Sequence, residues 1–139
     1  MKNSYRTILN LQNIDFGLLI MRIAFTCSLL THGFPKFLKF FGPDEIKFGD
    51  PLGFGELTTF SFAVFAEFFC SLFVLFGFLT RIATIPIIIT MAIVVFVVWL
   101  PEGFGKMEMP FLYLSAFTVL LITGGGKYSV DFLLEKGKK

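Results

Sequence analysis

Charged residues are scarce in this 139-residue chain, at 16% of the sequence, whereas ordinary soluble domains carry about 25%. So few charges leave too little polar surface to cover a soluble globule of this size. The net charge of +2 offers no broad basic face for a phosphate backbone, which excludes a nucleic-acid-binding domain. Two cysteines exclude a disulfide-stapled secreted module, and the 55% hydrophobic content excludes disorder.

Motifs for tightly bound cofactors are also missing. One histidine and no cysteine cluster do not supply the usual ligands of a metal site, so we expect none. There is no glycine-rich dinucleotide motif after a strand, no c-type haem signature and no C-x-x-C pair. We therefore predict no cofactor from motifs, and the chemistry must be sought in single polar residues.

Long apolar runs dominate what is present. About 20 mostly apolar residues suffice to cross a bilayer as a helix. The runs neither alternate, as barrel strands would, nor show the polar stripe of a soluble surface helix. They predict an all-α fold, a single-domain membrane-spanning four-helix bundle over 1–139 that runs up-down-up-down. The predicted spans are about 16–34, 57–79, 82–100 and 109–123, with an outer loop at 35–56.

Lysine and arginine in the flanks predict the orientation of the bundle. Seven of them lie on the side that holds both termini, and four lie on the other side. Because cytoplasmic flanks carry the excess of positive charge, we expect both termini in the cytoplasm and the long loop outside. The seven are Lys2, Arg6, Arg81, Lys127, Lys136, Lys138 and Lys139, and the four are Lys36, Lys39, Lys47 and Lys106.

Two charges fall inside the predicted spans, where an ionised group is costly. Glu67 lies near mid-depth of the second span; it either holds the bundle together or contacts a ligand or proton. Arg22 in the first span either reaches the cytoplasmic headgroups or pairs with Glu67 across the two helices.

Further polar residues gather on the predicted outer side. His32 and Lys36 share one helix face if the first helix continues past Pro35. His32 either caps the helix end or packs at a helix interface, or it is a functional group. Glu108 is by default a charge at a helix N-terminus, with an outward-facing cavity as the alternative. The candidate ligand-binding or proton-exchanging residues are His32, Lys36, Glu67, Arg22 and Glu108; catalytic residues stay unassigned.

In order along the chain, these residues carry a resemblance. The pattern joins Arg22, His32-Gly33-x-x-Lys36, Glu67, the turn Gly77-Phe78-Leu79-Thr80-Arg81 and the segment Gly124-Gly125-Gly126-Lys127-Tyr128-Ser129-Val130-Asp131. From about residue 18 to residue 131 the chain resembles the DoxX family of small four-helix membrane proteins. The resemblance implies a multi-pass protein of the inner (plasma) membrane. It also implies an oxidoreductase-associated or quinone-linked subunit, because relatives include a subunit of thiosulfate:quinone oxidoreductase and a membrane anchor in an oxidative-stress complex.

Two functions of different kinds stay open. The first is a membrane subunit that supports oxidoreduction by binding a quinone-like or other small amphiphile at a cluster of the candidate polar residues. A quinone is the one cofactor that this function leaves open. The alternative is a non-enzymatic scaffold or assembly factor for a partner protein. A solute transporter is disfavoured, because no inverted repeat is visible. The expected partners are the lipid bilayer and a partner oxidoreductase or other membrane protein; nucleic acid is excluded, and a homo-oligomer is left open.

Overall fold

Four long helices make up most of the computed structural model, which describes residues 10–137. Each is long and apolar enough to cross a membrane: Leu11–Phe40, Glu56–Phe76, Thr80–Glu102 and Phe104–Thr123. A short helix, Val130–Lys136, follows them. No strand occurs between residues 10 and 137, so the expected all-α four-helix bundle is confirmed. Lys2, Arg6, Lys138 and Lys139, which entered the charge count, lie outside the described residues.

The first span is longer than the sequence predicts. It was expected to end at residue 34, yet the helix continues through Pro35 to Phe40, so the loop covers only 41–55. A proline inside a helix removes one backbone N–H bond. The rings of Phe34 and Phe37 pack on Phe68, at 6.2 and 4.2 Å between centroids, and hold the last turns of the helix against the second span.

A tight turn joins the second and third spans. The second span ends at Phe76 rather than residue 79, because Gly77 adopts the left-handed conformation at φ 70°. Leu79 is also left-handed, with φ 48°, and the third span begins at the next residue. We call this end of the bundle, where the short helix Val130–Lys136 also begins, the turn end. The opposite end, which carries residues 41–55, is the loop end.

The fourth span begins earlier than expected, at Phe104 instead of residue 109. It ends at Thr123 as the three following glycines predict, and the N–H of Gly124 closes the last turn on the carbonyl of Leu120 at 2.8 Å. The fourth span therefore has 20 residues, enough to cross the hydrocarbon core without the short length that its sequence suggested.

The spans bury a continuous apolar core and turn other apolar residues outward. Leu29, Val74, Ile87, Phe117 and Leu120 are essentially inaccessible between the helices. In the second span, phenylalanines repeat at helical spacing along the opposite face and are exposed. In a bilayer that outward face contacts acyl chains, so its exposure is what a membrane bundle requires.

Two spans contain a wide π-helical turn. One covers Phe65–Cys70 in the second span, and the other covers Val94–Trp99 in the third. Turns of this kind are rare and frequently mark functional sites, because they re-aim the side chains around them. Both turns contribute residues to one cavity, described next.

Candidate functional site

A cavity of about 1310 Å³ lies between the four spans toward the loop end. Residues of the loop, Phe48 to Phe54, form part of its wall, and all four spans contribute. Most lining side chains are aliphatic or aromatic. The polar ones are His32, Lys36, Asp50, Thr59, Glu67, Thr90, Lys106 and Tyr113. A large apolar cavity with a few convergent polar groups is the usual form of a small-molecule site.

The central polar feature of the cavity is an ion pair between Lys36 and Glu67. The Lys36 Nζ donates to both carboxylate oxygens, at 2.7 Å to Oε1 and 2.6 Å to Oε2. The Glu67 side chain is 5% exposed, whereas that of Lys36 is 28% exposed. Both residues line the cavity, and the ammonium is the more exposed of the two charged groups.

Close approach of the first two spans brings this pair together. At Gly33 an added Cβ would lie 2.3 Å from the carbonyl oxygen of Glu67, so only glycine fits there. Gly33 thus lets the backbone of the first span rest on the π-helical turn that carries Glu67. Lys36, three residues later on the same helix, then reaches the carboxylate.

His32 and Tyr113 occupy the wall between the first and fourth spans. Their rings meet edge to face with centroids 6.4 Å apart. The Tyr113 hydroxyl forms a 2.6 Å hydrogen bond with the Ser28 hydroxyl, which fixes the ring. Because the helix continues past Pro35, His32 and Lys36 lie on one face, four residues apart, as the sequence allowed. Sequence reasoning missed Tyr113; the signal was a polar-tipped ring in an apolar run.

The loop contacts the ion pair through Phe48, and Asp50 ties the loop to itself and to the second span. The Phe48 ring centroid lies 5.6 Å from the Lys36 Nζ, within cation–π range. Asp50 accepts hydrogen bonds from the Thr59 hydroxyl at 2.8 Å and from the Gly55 amide at 2.6 Å. These bonds, the one from Thr59 foremost, lower the pKa of the Asp50 carboxyl below its usual value. We call this hydrogen-bonded set, Asp50 with Thr59, Gly55 and Phe54, the loop clasp.

Arg22 lies elsewhere, and of its two alternatives the pair with Glu67 is wrong. Arg22 is 2% exposed and its guanidinium donates to the carbonyls of Gly125 and Tyr128, each at 2.6 Å. Arg22 precedes Gly33, the neighbour of Glu67, by 11 residues, or about 16 Å along the helix. That distance exceeds the reach of the two side chains, so the predicted single cluster is two clusters at opposite ends.

The turn end is tied together by the chain segment after the fourth span. The Asp131 carboxylate accepts from the amides of Leu79 and Thr80, at 2.7 and 2.9 Å, and from the Thr80 hydroxyl at 2.7 Å. It thereby caps the N-terminus of the third span. With the bonds from Arg22, these contacts give the motifs Gly77–Arg81 and Gly124–Asp131 a structural role. Their partnership was not visible from sequence, because the residues are about 50 positions apart.

Glu108 lies on the exposed surface of the fourth span and does not line the cavity. Lys106, two residues earlier, does line the cavity. It pairs with Glu102 at the end of the third span and lies 5.3 Å from the Trp99 ring centroid. Of the five candidate residues, the structure therefore brings His32, Lys36 and Glu67 to one cavity and leaves Arg22 and Glu108 outside it.

Comparison with known families assigns most of the first three spans to one family. The family model described as DoxX matches residues 17–100, more than half of the chain. The match includes the Lys36–Glu67 pair, Gly33 and the tight turn, and it stops before the fourth span. No curated protein and no solved structure matches the chain. With a family match over most of its spans and four apolar helices, the chain belongs to the DoxX family and is a DoxX-like integral membrane protein.

Proposed function

We propose that this protein binds a small amphiphile with a quinone-like head in its cavity and so serves as a membrane subunit for oxidoreduction by a partner protein. The observation that carries the proposal is the Lys36–Glu67 ion pair in the wall of a large apolar cavity, with the ammonium as its more exposed group. An apolar ring with a hydrogen-bond acceptor matches both features.

The ammonium has a donor to offer such a ring. A lysine carries three N–H groups. Two carboxylate oxygens of Glu67 are the hydrogen-bond acceptors of Lys36 among the described residues. The remaining N–H is therefore available to a ligand carbonyl without breaking the ion pair. The negative charge of Glu67 keeps the buried cation tolerable in an apolar wall.

His32 supplies an imidazole, whose ring nitrogens can donate or accept a hydrogen bond. It lines the same cavity and lies one helical turn from Lys36. A ligand oxygen held by Lys36 would thus have a proton donor or acceptor on the same helix face. In this proposal the chain binds and orients the head group and moves protons at His32, and the electrons come from the partner oxidoreductase.

The proposal includes an orientation. With both termini in the cytoplasm of a cell whose plasma membrane holds the protein, the loop end faces outward and the cavity lies in the outer half of the bilayer. The excess of lysine and arginine in the flanks of the turn end supports this placement. A partner would then reach the ligand from the loop end or from within the membrane.

Ligand titration tests the proposal. The protein in lipid nanodiscs is titrated with a tailless dimethoxybenzoquinone, and binding is followed by calorimetry. We expect Glu67→Gln and Lys36→Gln each to weaken binding more than tenfold, because a charge-assisted hydrogen bond contributes about 1.5–3 kcal/mol. Glu45→Gln, in the exposed part of the loop, is the matched control and should leave affinity unchanged. Unchanged affinity in both site variants would remove this function.

Mass spectrometry of small molecules extracted from the purified protein complements the titration, because it assumes no reaction. A retained quinone or similar amphiphile supports the proposal. Recovery of a stoichiometric partner protein with no bound small molecule would instead favour the scaffold or assembly factor.

A further inference from the structure

The second and third spans diverge toward the loop end. Next to the tight turn, Phe65–Phe76 packs closely along Thr80–Ile93. Toward the loop end, the helical segment Glu56–Val64 packs on the first span and has no comparable packing with Val94–Trp99. The cavity fills the resulting gap, since Phe62 and Val98 both line it.

This gap reaches the outer face of the bundle. In the second span the exposed phenylalanines form one face, and Phe62 and Phe65 belong to it while also lining the cavity. In the third span Ile82, Ile85 and Ile89 form the exposed face, and Ile89 also lines the cavity. Side chains of two outward faces therefore border the cavity, which makes it open to the side of the bundle.

The opening lies at mid-depth in the hydrocarbon. Phe65 is the tenth residue of a 21-residue span, and Ile89 is the tenth of a 23-residue span. Because helices rise evenly along their axes, both residues lie near the middle of the bilayer. The polar end of the same cavity is the Lys36–Glu67 pair, and Phe48 of the loop covers Lys36. One continuous cavity thus joins a hydrogen-bond donor covered by the loop to an apolar exit into acyl chains.

We infer that the ligand of this site is a long-tailed lipid, whose head lies at Lys36 and whose tail leaves the bundle between the second and third spans. The inference rests on the proposed function and adds the class of ligand and its route. A tail that left toward the loop end would enter water, whereas a tail between Phe65 and Ile89 stays in an apolar medium. The ligand would enter sideways from the membrane without opening the loop.

A pair of matched substitutions tests the route. Ile89→Trp places a larger side chain at the opening, and Ile85→Trp makes the same change one turn away, on the same exposed face but off the cavity. The probes are the tailless dimethoxybenzoquinone and the same ring with a decyl chain. We expect Ile89→Trp to weaken binding of the decyl probe at least tenfold, to leave the tailless ring within twofold, and Ile85→Trp to change neither.

The possible failures are distinguishable. If the tailless ring binds and Ile89→Trp leaves the decyl probe unaffected, the route is wrong and the proposed function stands. If neither probe binds the unmodified protein, the proposed function fails and this inference fails with it. Photolabelling of the unmodified protein with a diazirine at the end of the decyl chain gives an independent result. Label near Phe62, Phe65 or Ile89 supports the route, and label confined to the first and fourth spans overturns it.

Discussion

Gly33 controls the approach of the first two spans, and replacing it with alanine tests the geometry of the site. An added Cβ would lie 2.3 Å from the carbonyl oxygen of Glu67 and 2.6 Å from its carbonyl carbon, whereas ordinary contacts begin at 3.4 Å. Both neighbours are backbone atoms, so no side chain can rotate away. The helices must therefore separate by about 1 Å, and overpacking of this kind costs about 1–3 kcal/mol.

We expect Gly33→Ala to lower the free energy of unfolding by about 1–3 kcal/mol and to weaken binding of the tailless benzoquinone. Binding weakens because the separation moves the Glu67 carboxylate away from the Lys36 Nζ, now 2.6 and 2.7 Å from its two oxygens. Unfolding is followed by circular dichroism during titration with a denaturing detergent, and binding by calorimetry in nanodiscs.

Gly17 provides the matched control. It lies on the same helix, and nothing lies within 4 Å of the position that its Cβ would take. Gly17→Ala should be neutral or stabilising by about 0.5–1 kcal/mol, since alanine favours a helix over glycine. If the Gly33 and Gly17 variants unfold at the same detergent concentration and bind equally well, the close contact between the first span and the π-helical turn is refuted.

Three further predictions concern the two clusters and the loop clasp. Lys36→Gln should lower the free energy of unfolding in detergent by about 3–5 kcal/mol, because it leaves the deeply buried Glu67 carboxylate unpaired. Glu67→Gln should lower it less, since the Lys36 ammonium is more exposed, and equal losses would contradict this burial order. Arg22→Gln should lower the thermal midpoint and leave benzoquinone affinity per folded molecule unchanged, since its two carbonyl partners lie at the turn end. Hydrogen bonds lower the pKa of Asp50 below its ordinary value of 3.8. The loop clasp therefore contributes its full stability at pH values above 3.8 and loses it as the pH falls through the lowered pKa. At neutral pH the loop amides of the unmodified protein should accordingly exchange hydrogen more slowly than those of Asp50→Asn. Equal exchange rates in the two proteins would show that the carboxylate does not hold the loop.

The sequence predicted the number and type of helices because hydropathy and span length depend on local composition. It did not predict helix ends set by packing, such as the continuation past Pro35, where the rings of Phe34 and Phe37 rest on a neighbouring span. Pairing of the buried charges was also out of reach. Arg22 was the one partner that the sequence analysis weighed for Glu67, whereas the register set at Gly33 brings Lys36 to it.

Candidate site residues were predictable in part for the same reason. A carboxylate within an apolar run is recognisable as a candidate from sequence alone. The four-residue spacing of His32 and Lys36 places both on one helix face if the helix is continuous. The contribution of Phe48 and Asp50 depends on how the loop folds back over the cavity, which no periodicity encodes. The lateral opening depends on the divergence of two helices, a property of the whole bundle rather than of any segment.

The bonds of Arg22 to the chain after the fourth span have a consequence for biogenesis. Its acceptor at Gly125 follows it by 103 residues. At about 5–20 residues per second of synthesis, the guanidinium waits about 5–20 s for that carbonyl after it leaves the ribosome. During this interval the nascent first helix carries a charge without its final partner and relies on water or lipid phosphate at the membrane surface. The bundle is therefore complete only after the segment that follows the fourth span has been made. A chain truncated before Gly125 would keep the unpaired guanidinium and become a target for quality-control proteases.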